Sequence, residues 1–248
     1  MIYYQLQNSC NFYHYILPNT PIFIHRKNRQ PLSIKINFID EDICQINDTV
    51  NDIHGVMTKY GHGLKGIINL CGGVPSKRIL FIHVDIQSVS NDTLVIQIIT
   101  DLYRLHRTIN FSLRTIFNDK MVVFNKYAHI GTSLFLNQVK HARLANFRKL
   151  STTAVAPDGI DDWDGYYRWA RLGYQMNDWD DMEDLQSMLR YFPRAVKDLS
   201  ELVLSEDGYS FWKLNGFTWT GEFILINGSK SMIHLEKYLQ LKQINFIP

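Results

Sequence analysis

Apolar Leu32, Ile34, Ile36 and Phe38 alternate with Ser33, Lys35 and Asn37, the period-two pattern of a strand that buries one face. A shorter β-type run, IFIH, stands at 22–25. Further on, ILFIHVDI (79–86) and TLVIQIIT (93–100) flank the polar QSVSND, which predicts an antiparallel hairpin. RTINFSLRTI (107–116) and KMVVFNKYA (120–128) flank Phe117-Asn118-Asp119, and predict a second pair of strands with its turn at those three residues.

The period then lengthens. After Gly131-Thr132-Ser133, the apolar stripe Leu134, Phe135, Val139, Ala142 and Ala145, together with Gln138, falls at helical spacing over 131–149. Lys140, His141, Arg143 and Lys149 lie on the other side or near the C-terminal end, where cations oppose the helix dipole. LSTTAVA (150–156) is β-branched and reads as a buried strand. The order is therefore hairpins, then a βαβ-like unit. An aromatic helix, GYYRWARLGY (165–174), follows, and then two helical patterns, DMEDLQSMLRYF and RAVKDLSELVL. FWKLNGFTWTGEFILI (211–226) reads as β, and SKSMIHLEKYLQLK (229–242) as the last helix.

Composition narrows the function classes. The 248 residues are 46% hydrophobic and 20% charged, enough apolar material for a substantial core. Net charge is +2, which argues against broad electrostatic binding to nucleic acid. Cys10, Cys44 and Cys71 are widely spaced, with no CxxC, so neither a disulfide framework nor a zinc site is expected. Reduced cysteines, the lack of a signal-peptide pattern at the N-terminus and the lack of an apolar run of ~20 residues point to a cytoplasmic protein with no membrane association. GHGLKG (61–66) matches GxGxxG, but no apolar strand precedes it, so it reads as a turn-rich connection rather than a dinucleotide site.

Several constellations bear on chemistry. HIGTS (129–133), set between a strand and a helix, would present backbone N–H groups to an anion; Thr132 or Ser133 would otherwise be an ordinary N-cap. His83 and Asp85 share one strand face, but no Gly-x-Ser-x-Gly elbow accompanies them. The nine histidines show no HExxH spacing, and no metal site is expected. Arg168 and Arg171, interleaved with aromatics, would suit base stacking or simply form a solvated face.

Taken in order, these elements resemble the GNAT acyltransferase superfamily. Its [Arg/Gln]-x-x-Gly-x-[Gly/Ala] loop matches Ala128-His129-Ile130-Gly131-Thr132-Ser133, with Ala in the Arg/Gln position. Its Tyr-x-x-x-Gly-Phe helix end matches Trp169-Ala170-Arg171-Leu172-Gly173-Tyr174. The chain also resembles a bacterial and phage-associated GNAT-like group through Gln138-Val139-Lys140-His141-Ala142, Asp164-Gly165-Tyr166-Tyr167 and Trp212-Lys213-Leu214-Asn215-Gly216. The resemblance covers roughly residues 79–245.

The resemblance implies an α/β (α+β) fold: a mixed, mainly antiparallel sheet flanked by helices over 76–248. To this are added a helical insertion near 177–207 and a β-rich extension at 1–75. It implies an N-acyltransferase using acetyl-CoA or another acyl-CoA, with a small-molecule or protein amine as acceptor. The coenzyme would lie along backbone groups of Phe124, Lys126, His129, Ile130, Gly131, Thr132, Ser133 and Leu134. The acid for the leaving thiolate would be Tyr166 or Tyr167, since Trp169 holds the usual tyrosine position and an indole N–H cannot supply that proton. Asp161, Asp162, Asp164 and Glu222 are candidate bases; for Asp164 an N-cap is the preferred explanation, and a solvent-facing strand position explains Glu222 equally well. The alternative is a GNAT-like binding or structural module without the chemistry.

Overall fold

The computed structural model describes residues 33–38, 64–73, 81–90, 92–124, 130–156 and 165–244. The chain forms two compact units, Met1–Phe147 and Arg148–Pro248.

In the first unit, β1 (Ser33–Phe38) pairs in parallel with β2 (Phe81–Ser90). Antiparallel ladders then join β2 to β3 (Thr93–Thr100), β3 to β4 (Tyr103–Asn110) and β4 to β5 (Thr115–Val123). The first expected hairpin is present, but β2 runs on to Ser90, so residues 87–90 of the expected turn belong to the strand that pairs with β3. Alternation sends Leu94, Ile96 and Ile98 of β3, and Tyr103, Leu105 and Ile109 of β4, to one buried face. Two helices, α1 (Leu64–Leu70) and α2 (Ile130–Leu144), pack on each other. They bury Ile67, Leu70, Phe135, Val139 and Ala142, the four larger side chains contributing roughly 1.5–3 kcal/mol each of transfer free energy. GHGLKG is therefore not wholly a turn: its last three residues open α1.

The second pair of strands differs from expectation. Its turn lies at residues 111–114, with Arg114 at φ 53°, and 117–119 belong to β5. The polar Asn118-Asp119 that imitates a turn marks a β-bulge: His106 pairs with Lys120 and Arg107 with Asn118, which leaves Asp119 as the extra residue. The disrupted ladder frees carbonyls, and the buried Arg107 satisfies two, donating from Nη1 to the oxygens of His106 (2.8 Å) and Lys120 (2.6 Å). Asn118 turns inward and exchanges two hydrogen bonds, of 3.0 and 2.8 Å, with the buried amide of Gln138 on α2.

The second unit has the antiparallel order β6 (Lys149–Ala154), β8 (Trp219–Ile224), β7 (Gln175–Met176). Its helices are α3 (Gly165–Leu172), α4 (Trp179–Leu189), α5 (Leu199–Leu204), α6 (Glu206–Asn215) and α7 (Lys230–Leu241). The β reading of 211–226 holds only from residue 219. Ser205 caps α6, its side chain accepting from the Gly208 N–H, and the helix runs through Phe211 and Trp212 to Asn215. RAVKDLSELVL is helical only from Leu199, where Asp198 caps α5 by accepting from the Glu201 N–H.

One stop signal ends four of the helices. At Gly72, Asn146, Gly173 and Gln243 the backbone turns to positive φ. Each of these N–H groups bonds back three residues, and the next bonds back five, the pairing that satisfies the last carbonyls of a helix.

Candidate functional site

The loop 129–133 is mostly helix: α2 begins at Ile130. Ile130, Gly131 and Thr132 are half-buried, Ser133 is exposed and Leu134 is buried. N–H groups of a first helical turn have no partner within the helix and carry the positive end of its dipole. An added Cβ at Gly131 would be in ordinary contact with the Met121 and Val123 methyls, each at 3.8 Å, the nearest atoms among the described residues. Among the described residues, the first turn is therefore not sterically closed at Gly131. Gly72 supports it from the other side, since a Cβ there would lie 2.5 Å from the Leu134 carbonyl oxygen. The Phe124 N–H donates to the Leu102 oxygen at 2.9 Å, and its exposed ring lies 5.7 Å from the Arg104 guanidinium carbon. Lys126 and His129 lie outside the described residues.

In the second unit, Tyr166 is a scaffold residue in its contacts. Its hydroxyl donates to the Lys213 carbonyl. Its own carbonyl accepts the indole N–H groups of Trp212 (3.0 Å) and Trp219 (2.7 Å). Gly216 packs against the ring, where a Cβ would come within 2.8 Å. The two motifs GYY and Trp-x-x-Asn-Gly are thus two sides of one contact. Tyr167 is 9% exposed, with its ring edge-on to Tyr166 (5.2 Å) and Tyr209 (5.6 Å).

Trp169, Gly173 and Tyr174 terminate α3. The Tyr174 N–H reaches the Trp169 carbonyl and the Gly173 N–H that of Ala170. The Trp169 and Tyr174 rings close the cap at 5.1 Å. Gly173 has φ 103°, and a Cβ there would lie 2.7 Å from the Ser231 carbonyl oxygen of α7. The aromatic run ending in Leu-Gly-Tyr is, in physical terms, a helix cap built into a core.

Other candidates have plain partners or fall elsewhere. Glu222 is held by the Lys149 ammonium across β6 and β8. Asp161, Asp162 and Asp164 lie outside the described residues, as do the side chains of His83 and Asp85. Burial pushes the Cys71 thiol up to about 12, against the opposing pull of the Arg107 guanidinium, which makes it unreactive at neutral pH. Asp119, at the bulge, accepts from Thr108 Oγ1 at 3.2 Å and faces His106 at 3.7 Å, and burial raises its pKa above the usual value. His234, on α7, is buried and bonds the Arg171 carbonyl through Nε2 at 3.1 Å. Sequence reasoning passed over it because a single histidine inside an amphipathic helix carries no spacing signal.

Among the described residues, no group of His, Cys, Asp and Glu is placed to hold a metal, and no helix is long and apolar enough to cross a membrane. No family model, curated protein or solved structure matches the chain.

Proposed function

We propose that the chain is an acyl-CoA-dependent N-acyltransferase, with acetyl-CoA or another acyl-CoA as cosubstrate and a small-molecule or protein amine as acceptor. The observation that carries this reading is the first turn of α2: N–H groups that have no partner inside the helix, a helix of 15 residues behind them, and no clash for an added atom at Gly131. Amides of residues 130–134 would receive the pyrophosphate, and backbone groups at Phe124 and Lys126 would hold the adjoining arm of the coenzyme. The order of motifs along the chain supports the same reading. When bound, the coenzyme supplies a thioester-activated acyl group. Because the Tyr166 proton is engaged with the Lys213 carbonyl, the acid role falls to Tyr167, with Asp164 as the candidate base.

A second reading, a GNAT-like module without chemistry, is favoured by the packing of Tyr167 between two other rings. Thiol release from acetyl-CoA, measured with the full chain across a broad amine panel, separates the two. The enzyme reading expects turnover that falls ~100-fold in Tyr167→Phe, the scale of a lost general acid, and that survives Tyr166→Phe. A folded protein that releases no thiol with any amine favours the module.

A further inference from the structure

Helices α3, α6 and α7 bring together a second cluster, centred on Arg171, which adjoins Tyr167 and is otherwise not used by the acyltransfer reading. The Arg171 guanidinium carbon lies 3.9 Å above the Tyr209 ring and 5.4 Å from the Tyr238 ring. Tyr209 touches Tyr167, and the Lys213 ammonium stands 5.5 Å from that same Tyr167 ring. Stacking on a tyrosine face holds a guanidinium by cation–π attraction while its in-plane N–H donors remain unspent. Arg171 has no ion pair among the described residues, and its buried Nε has no hydrogen-bond partner. Next to it, His234 bonds the Arg171 carbonyl through Nε2, and its buried Nδ1 is also without a partner. His234 precedes Tyr238 by one helical turn, so both face α3.

A stacked guanidinium with no ion pair among the described residues, an exposed ammonium on the next ring of the same aromatic row and half-buried tyrosine rings suit an oxyanion joined to a planar ring. The unit as a whole opposes a long polyanion, because residues 148–248 carry 11 basic against 15 acidic side chains. From this we infer that the Arg171 cluster binds a phosphorylated nucleoside, its phosphoryl group on Arg171 and Lys213 and its base against Tyr238. Two sources share this chemistry: a free mononucleotide and the 5′-phosphorylated end of a single strand.

Calorimetric titration of the full chain tests the inference with AMP, adenosine, inorganic phosphate and a 5′-phosphorylated oligothymidylate. AMP is expected to bind, with adenosine and phosphate each about tenfold weaker or worse, since each lacks half of the recognition. Arg171→Lys, which keeps the charge but loses the stacked fork, is expected to weaken AMP about tenfold. Lys213→Ala, at an exposed position that packing does not need, should also weaken it. An oligomer bound more tightly than AMP assigns the strand end as the source; otherwise it is the free nucleotide. The inference is independent of the coenzyme site: Gly131→Val should leave AMP binding unchanged whether or not acyl-CoA binds at α2. No heat from the wild type with millimolar AMP, or equal affinity in wild type and Lys213→Ala, overturns it.

Discussion

Replacing His234 with glutamine should remove most of the acid sensitivity of residues 148–248. Burial pushes the His234 pKa down from 6.5 to about 4, against the raising effect of its bond to the Arg171 carbonyl. A histidine whose folded pKa is depressed is protonated more readily in the unfolded chain. Its contribution is therefore complete above the unfolded value and is lost as pH falls from about 6.5 towards 4. At about 1.4 kcal/mol per unit, the full span is roughly 3 kcal/mol, of which about 2 kcal/mol is lost by pH 5. The assay is urea unfolding followed by tryptophan emission at pH 7.5 and pH 5. All five tryptophans lie in 148–248, and His234 is the only histidine there, so the signal and the titrating group belong to the same unit. Glutamine keeps an N–H for the Arg171 carbonyl but does not titrate. The wild type should lose about 2 kcal/mol between the two pH values and His234→Gln little of it. Equal losses in the two proteins would refute the buried, neutral histidine.

Three further outcomes follow from the packing. Gly173→Ala should destabilise the same tryptophan transition by about 2–4 kcal/mol, combining a positive φ disfavoured for a Cβ with contact against Ser231; a melt within a degree of wild type would contradict the cap. Asn118→Leu or Gln138→Leu alone should cost about 1–3 kcal/mol by stranding a buried amide, and the double variant should recover part of that loss, as a double-mutant cycle in urea would show. Tyr166→Phe should cost about 1 kcal/mol through its lost bond to the Lys213 carbonyl, measured by the same unfolding transition.

What the sequence makes legible depends on how local the physics is. The alternation at 32–39 and 93–100 and the helical stripe from Leu134 to Ala142 are short-range patterns, and each appears as the expected element. So does the end of α3, since a Schellman cap is written within six residues, Trp169 to Tyr174. Asn118-Asp119 misleads because a bulge and a turn use the same polar residues; only the register of β4, with Arg107 placed to donate to the freed carbonyls, tells them apart. FWKLN reads as β from its aromatics, yet Ser205 has already started a helix and Trp212 points back to the Tyr166 carbonyl. In the candidate site, Gly131 and the first turn of α2 are readable from one short loop. The engagement of Tyr166 is not, because its partner Lys213 lies 47 residues away. The Arg171 cluster was hidden for the same reason: Tyr209 and Tyr238 come from two later helices.

The central claim, that the first turn of α2 receives the pyrophosphate of an acyl-coenzyme A, is tested most directly by calorimetric titration of wild type and Gly131→Val with acetyl-CoA and desulfo-coenzyme A. Both ligands should bind the wild type saturably and neither should bind Gly131→Val, with the unfolding transition of the variant little changed. Equal affinity in the two proteins, or no binding to the wild type at millimolar ligand, would contradict that claim.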